Sequence, residues 1–177
     1  MKKSLLLIAI MLFGALSTVN AQKFAGLQKS PTDISYAKVD RNAKPEIKVV
    51  YSRPQKKGRE IFGNIVKYDK VWRTGADEAT EIKLFKDVKM GDKTVKAGTY
   101  SLYTIPGAKE WTIILSSDLD SWGAYSYDKG KDVARVTVPI SSGDALEVFS
   151  IAFKKVDKGY HMVMGWDTTR VEVPFYM

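Results

Sequence analysis

The residues best suited to chemistry in this chain lie in one irregular segment, residues 53–80. The segment carries three arginines, an indole and two adjacent carboxylates, namely Arg53, Arg59, Trp72, Arg73, Asp77 and Glu78. Its residue pattern fits neither a single helix nor a single strand. Proteins built on strands usually carry their sites on such irregular connections, because the strands fix the ends of the loop. The segment is therefore predicted to contain the site, although its composition does not specify a substrate or a reaction.

The arginines support two interpretations. Arg53, Arg59 and Arg73 could converge as a clamp on a carboxylate, phosphate or sulfate, because guanidinium donors match those oxygens in pairs. They could instead form ion pairs inside the fold with Asp77, Glu78 or Glu81, and arginines beside carboxylates in one segment usually do so. Bases outnumber acids between residues 56 and 73, which keeps a positive pocket open as a hypothesis.

Glu78 is the better candidate of the two carboxylates for acid–base chemistry, because Asp77 is expected to serve the turn after Gly75-Ala76. A glycosidase needs two carboxyl groups roughly 5–10 Å apart. Neighbouring strand residues point to opposite faces, so a partner for Glu78 would have to come from elsewhere. The distant candidates are Glu110, Asp118 and Asp120. A capped turn with an ion pair is the alternative and is favoured.

Aromatic side chains suggest a recognition surface. Trp72 and the loop of residues 121–127, with Trp122 and Tyr125, could stack on sugar rings, peptide side chains or another protein. The alternative is a loop that folds back and covers the core with its rings. Trp111 and Trp166 lie in apolar strand patterns and are predicted to be core residues.

Metal and cofactor sites are not predicted. His161 is the only histidine and cysteine is absent, so a zinc site lacks ligands. Asp118 and Asp120 have the spacing of calcium loops without the rest of the pattern. No phosphate-binding glycine loop, dinucleotide fingerprint, serine-hydrolase elbow or RNA-binding motif is present.

The first residues predict export. Lys2-Lys3 precede an apolar run from Leu5 to Leu16, and Val19-Asn20-Ala21 resembles a signal-peptidase site. A membrane span needs about 20 apolar residues, and this run is shorter. We expect cleavage after Ala21, a location in the periplasm or outside the cell, and no transmembrane segment after processing.

The mature chain would hold 177 − 21 = 156 residues, the size of one domain, with a net charge of +8 − 2 = +6. Its lysines are scattered along the predicted strands, a pattern more typical of solvated sheet faces than of nucleic-acid binding. Nucleic acid is therefore not an expected partner.

Hydrophobic alternation with period two dominates the mature chain. About ten short strands, separated by Gly, Pro and Asp turns, predict an antiparallel all-β domain, and their number favours a two-sheet β-sandwich of jelly-roll type. One short helix is predicted over residues 60–66, as a plug over one open end. The predicted organisation is a signal peptide over residues 1–21, a tether over residues 22–31 and a single domain over residues 32–177.

Several motifs resemble domain of unknown function 2911, a family of exported bacterial β-proteins without an assigned activity. They are Arg53-Pro54, Gly58-Arg59, Ile61-Phe62-Gly63, the run from Trp72 to Thr80, the run from Ala97 to Leu102, and the run from Trp111 to Leu115. The resemblance extends from about Ser30 to Val173 and implies a fold and a compartment, but no catalytic residues. The family usually has an amide where this chain has Asp77, which implies hydrogen bonding there rather than an obligatory general base.

Three functional hypotheses follow. The first is non-enzymatic recognition of a polar or anionic small molecule, glycan or envelope component: arginines would bind oxygens, aromatic rings would stack, and Asp77 and Glu78 would accept hydrogen bonds from hydroxyls. The second is a metal-independent hydrolase using Glu78, and the third is a structural envelope protein without a small-molecule site. The oligomeric state is not predicted.

Overall fold

The computed structural model describes residues 22–177. The predicted signal peptide, residues 1–21, lies outside the described residues. Residues 22–31 contain no strand and are almost entirely exposed.

Nine antiparallel strands form the fold, and the only helical element in the described residues is one 3-10 turn, Lys129–Lys131. The strands are β1 (Thr32–Ala37), β2 (Ile47–Ser52), β3 (Thr80–Leu84), β4 (Val88–Met90), β5 (Lys93–Val95), β6 (Gly98–Pro106), β7 (Glu110–Ser116), β8 (Asp132–Val156) and β9 (Gly159–Tyr176). The prediction of an antiparallel all-β fold is confirmed.

The strands form one open sheet with the order β1-β2-β3-β6-β7-β8-β9-β4-β5. The more detailed prediction of a two-sheet sandwich of jelly-roll type is not confirmed, because β8 is continuous over 25 residues. Its first part pairs with β7 and its second part pairs with β9. A single strand thus joins both halves of the sheet through backbone hydrogen bonds.

The sheet curls so that β2 faces the far part of β8 across the core. The hydroxyl of Tyr51 on β2 accepts a hydrogen bond of 2.9 Å from the backbone N–H of Ile151 on β8. An isolated bridge between Gln55 and Val148 extends this contact. The two halves of the sheet therefore enclose one hydrophobic core.

Aromatic rings fill much of that core. Trp72 stacks on Trp166 with centroids 6.2 Å apart, and Phe149 lies 5.1 Å from Trp72. Trp111 and Trp166 are 2% and 1% exposed, which confirms their prediction as core residues. Stacked and edge-to-face pairs of this kind add a favourable electrostatic term to the burial of the rings.

The predicted helix at residues 60–66 is wrong. Val66 N–H donates to the carbonyl of Ile61, and Gly63 N–H donates to the carbonyl of Val66, which closes a tight turn. Gly63 has a φ of 91°, which a right-handed helix does not allow. The predicted plug is partly present, because Phe62 lies 4.9 Å from Trp111 at the edge of the aromatic core.

No helix among residues 22–177 is long and apolar enough to cross a membrane.

Candidate functional site

A cleft of about 550 Å³ opens on the outer face of the sheet, beside the loop that follows β7. It is lined by Thr32, Val50, Tyr51, Ser52, Glu78, Ala79, Glu81, Ser101, Leu119 and Asp120.

The floor of the cleft follows from strand alternation. Val50, Glu81 and Ser101 are cross-strand neighbours on β2, β3 and β6. The residues on either side of Glu81, Thr80 and Ile82, are buried on the core face. Because side chains alternate between the faces of a sheet, Glu81 must point outward, where it is half-buried.

The upper wall is the loop of residues 117–127, which one hydrogen bond joins to β6 and another braces internally. Ser101 Oγ donates to the carbonyl of Asp118 at 2.6 Å. Ser121 Oγ donates to Asp118 Oδ2 at 3.2 Å. These contacts leave Leu119 and Asp120 at the tip of the loop, facing the cleft.

The mouth of the cleft is formed where residues 77–79 meet residues 121–123. Ala79 N–H donates to the carbonyl of Ser121 at 2.9 Å, and Gly123 N–H donates to the carbonyl of Asp77 at 3.0 Å. Glu78 and Trp122 lie opposite each other in this isolated antiparallel bridge. The bridge places a carboxylate and an indole side by side at one rim.

The cleft is acidic. Glu78, Glu81 and Asp120 contribute three carboxylates, and no lysine or arginine lines it. Within residues 22–177 none of the three carboxylates forms an ion pair. A carboxylate accepts hydrogen bonds and attracts cations, so this lining suits hydroxyl-rich or cationic ligands and repels anions. No residue between 56 and 73 lines this cleft, so it is not the positive pocket considered for that segment.

Two aromatic rings on the loop are free. Trp122 is 60% exposed and Tyr125 is 86% exposed. Tyr127 differs from them, because it folds back onto the sheet in the way that the alternative interpretation expects of the whole loop. Its ring lies 5.2 Å from that of Tyr103, and its hydroxyl donates to Asp132 and accepts from Arg135. Burial raises the pKa of Tyr127, so this hydroxyl stays protonated.

Arg53 and Arg59 do not form a clamp. Arg53 donates to Asp33 Oδ2 at 2.8 Å, to Ser150 Oγ at 2.8 Å and to the carbonyl of Phe149 at 3.1 Å. These bonds tie the end of β2 to β1 and β8. Arg59 is exposed and donates to the carbonyls of Lys56 and Gln55 in its own turn.

Arg73 is the arginine without a partner. It is half-buried, less exposed than Arg59, and its Nε is buried with no hydrogen bond in residues 22–177. Trp72 pairs with Thr104 in an antiparallel bridge. Arg73, which follows Trp72, is therefore next to Tyr103, which precedes Thr104. Tyr103 carries the other buried side-chain atom without a partner, its hydroxyl. None of the three arginines lines the cleft.

Trp72 and Asp77 have structural positions. Trp72 is 9% exposed and its indole N–H donates to the carbonyl of Gly75 at 3.1 Å, so its ring cannot stack on a ligand as we expected. Asp77 has a φ of 60° at the turn beside the cleft mouth. Of the eight predicted site residues, Glu78 lines the cleft, and Trp122 is the bridge partner of Glu78 without lining the cleft itself.

Metal-binding geometry is absent from residues 22–177, where no group of three or more His, Cys, Asp or Glu side chains could hold an ion. His161 Nδ1 lies 3.0 Å from Glu172 Oε2 on the surface of β9. The carboxylates of the cleft are thus too dispersed for a shared ion.

Sequence reasoning missed most of the cleft floor. Glu81 was considered only as an ion-pair partner for an arginine, and Thr32, Ser52 and Ser101 were not considered. A charged residue within the alternating pattern of β3 was the available signal, because alternation alone places it on the outer face.

Comparison with known proteins identifies a family for this chain. A family model described as "Protein of unknown function (DUF2911)" matches residues 30–175. No curated protein and no solved structure matches the chain.

Proposed function

The chain belongs to this family of proteins of unknown function, and from that premise we propose that it is a non-enzymatic binding protein whose cleft takes a small hydroxyl-rich ligand, such as a glycan unit. The observation that carries the proposal is the lining of the cleft. Three carboxylates and the hydroxyls of Thr32, Ser52 and Ser101 surround a space of about 550 Å³ without any cation.

The chemistry of this lining matches a sugar better than an anion. Carboxylates accept hydrogen bonds from hydroxyl groups, and charge-assisted bonds are about twice as strong as neutral ones. The exposed ring of Trp122 at the rim offers a face for the apolar side of a sugar ring. A volume of this size is typical of small-molecule sites.

A thermal-shift screen tests the proposal. Neutral sugars, amino sugars, organic acids and phosphates would be compared, because a ligand at a hundredfold excess over its Kd stabilises the native state by about 2.7 kcal/mol. We expect stabilisation by neutral or amino sugars that is lost in Glu81→Gln and in Trp122→Ala. Glu110→Gln is the matched control, because Glu110 is an exposed carboxylate on β7 outside the cleft.

If no neutral or amino sugar stabilises the wild type while the control folds normally, the glycan proposal is wrong. Stabilisation by every ligand class in all variants would indicate nonspecific binding elsewhere on the surface.

A second candidate is a metal-independent hydrolase, supported by one observation. Glu78 and Asp120 line the same cleft from two separate chain segments. Two carboxylates across a bound sugar are the catalytic pair of most glycosidases. Chromogenic glycosides incubated with wild type, Glu78→Gln and Asp120→Asn test this candidate. Turnover that both variants lower by orders of magnitude would put the hydrolase first, and equal rates in all three would exclude it.

Export to the periplasm or beyond is part of the proposal, supported by the signal-peptide pattern at residues 2–21. We expect secreted or periplasmic material to begin at Gln22, and intact-mass measurement checks this. A mature species that retains residues 1–21 would contradict it.

A further inference from the structure

A second groove, separate from the acidic cleft, lies where the end of β1 meets the end of β8. It encloses about 300 Å³ and is lined by Tyr36, Lys38, Asp40, Arg41, Phe153, Lys155 and Tyr160. It shares no residue with the acidic cleft.

Three cations converge on this groove from three positions in the chain. Lys38 follows β1, Arg41 lies in the turn before β2, and Lys155 lies near the end of β8. None of them forms an ion pair within residues 22–177. Lys38 Nζ lies 4.9 Å from the centre of the Tyr36 ring, and Lys155 Nζ donates to the carbonyl of Val39 at 3.3 Å.

The nearby carboxylates are already engaged. Asp40 Oδ1 accepts the N–H groups of Asn42 at 2.9 Å and Ala43 at 3.0 Å, which closes the turn. Glu46, close to Lys155, is paired with Lys86 at 2.5 Å. The hydrogen bond from Lys86 lowers the pKa of Glu46, so its charge is present and mainly directed at Lys86. Three cations against one acid within the groove leave it positive.

The adjoining sheet face strengthens that potential. Tyr36 lies opposite Lys48, and Lys48 lies opposite Lys83 across the next strand pair. Like charges directly opposite each other on antiparallel strands are unfavourable. Lys48 and Lys83 form no ion pair within the described part of the chain. Lys48 and Lys83 do not line the groove, but they add positive charge on the strands beside it.

From these positions we infer that the groove binds a small phosphate or sulfate monoester. Arg41 supplies a planar fork of donors that matches two oxygens of a tetrahedral oxyanion, and the lysines supply point charges. The rings of Tyr36 and Phe153 border the same space and would contact the organic part of the ester. The volume suits a single ring rather than a polymer.

Isothermal titration with phenyl phosphate and with inorganic phosphate tests the inference. We expect saturable binding of phenyl phosphate, and Kd values raised about tenfold in Lys38→Gln and in Arg41→Gln, because a charge-assisted hydrogen bond is worth about one factor of ten. Arg41→Lys separates charge from geometry and should also weaken binding, because it removes the planar fork.

Two controls make the test specific to the groove. Lys129→Gln changes the net charge equally on the 3-10 turn outside the groove and should leave the Kd unchanged. Glu81→Gln should also leave it unchanged, so a failed glycan proposal and a failed ester inference give different results. If Lys129→Gln weakens binding as much as Lys38→Gln, or phenyl phosphate does not saturate the wild type, the inference is overturned.

Vesicles distinguish a free ester from a lipid headgroup. Sedimentation with vesicles containing phosphatidic acid, lost in Arg41→Gln but not in Lys129→Gln, would assign the groove to a lipid phosphate. Binding of phenyl phosphate without vesicle binding would assign it to a soluble ester.

Discussion

Arg53 and Arg73 have opposite hydrogen-bonding states although they lie in the same segment. Arg53 has an acceptor for each of its three donor nitrogens. Arg73 Nε and the Tyr103 hydroxyl are both buried, and neither has a partner within residues 22–177. A buried polar group without a partner costs free energy, so the Arg73 guanidinium is not stabilised in the way that the Arg53 guanidinium is.

The arginines are expected to differ in their effect on stability. Arg53→Ala should lower the unfolding free energy by about 1–3 kcal/mol, because it removes three hydrogen bonds that join β2 to β1 and β8, including the one to the Phe149 carbonyl. Arg59→Ala should change it by less than about 0.5 kcal/mol, because its bonds are exposed. Arg73→Met should cause no loss, because it keeps the apolar stem and removes an unpaired N–H.

Urea unfolding of the three variants, without ligand, measures these differences. A loss above about 1 kcal/mol in Arg73→Met would show that this guanidinium has a stabilising partner.

The two tryptophans that we predicted as ligand contacts should differ clearly in their contribution to stability. Trp72→Ala removes a core ring that contacts Trp166 and Phe149, and it should cost about 3–5 kcal/mol. Trp122→Ala removes a ring that is 60% exposed, and it should cost less than about 0.5 kcal/mol. Denaturant unfolding followed by circular dichroism measures both. A similar loss in both variants would contradict the assignment of Trp122 to the surface.

At the scale of elements, β8 and β9 are long strands of 25 and 18 residues where the sequence predicts short ones. Ser142-Gly143-Asp144 resembles a turn, yet Ser141 and Ser142 pair with Arg170 and Thr169. The register shifts twice between Ser142 and Ser150. These irregularities absorb the turn-forming residues without ending the strand, as β-bulges do.

Gly159 controls the hairpin that joins β8 to β9. Its φ is 144°, and a Cβ there would lie 2.1 Å from the carbonyl oxygen of Phe175, a backbone atom. Gly159→Ala should therefore cost at least about 2 kcal/mol, combining strain and a contact that cannot relax. Gly26→Ala is the control, because nothing lies within 4 Å of its added Cβ. Thermal unfolding of both variants checks this, and equal melting temperatures would contradict it.

At the scale of the whole molecule, charge is distributed unevenly, so that two cavities of opposite charge favour different classes of ligand. The acidic cleft and the basic groove lie on one chain with a formal net charge of +8. Net charge alone therefore predicts neither site. Local composition determines which ligand each cavity favours.

Global stability should fall in alkaline solution through Tyr160. Burial and its hydrogen bond to Glu46 raise the pKa of this phenol from 10.0 to about 12. The folded state holds the proton more tightly, so this stabilisation is complete below pH 10 and is lost as the pH rises towards 12. Urea unfolding between pH 9.5 and 11.5 should show a smaller decline in Tyr160→Phe than in wild type. Tyr125→Phe, at an exposed position, should decline like wild type, and equal slopes in all three would contradict the assignment.

The local sequence pattern was sufficient to predict features that depend on residues close together in the chain. Alternation with period two predicted the all-β class and the buried Trp111, and the motifs between Arg53 and Leu115 indicated the family. It failed at residues 60–66, where four apolar residues share a helical face but Gly63 turns the chain. Periodicity reports which residues are apolar, and it does not report the backbone angle of a single glycine.

Which residues line the cleft depends on tertiary structure. Glu81 reaches the cleft through cross-strand register, and Asp120 reaches it through a loop held by Ser101. Register and loop placement depend on partners far away in the sequence, so the residue types could not indicate that acids would converge and that Arg53 would turn to Asp33. The all-β class and the buried Trp111 and Trp166 follow from local alternation, and the family follows from short motifs, so the sequence is sufficient for these. The sign of the charge in each cavity depends on which distant side chains share a face, and only the folded sheet establishes that.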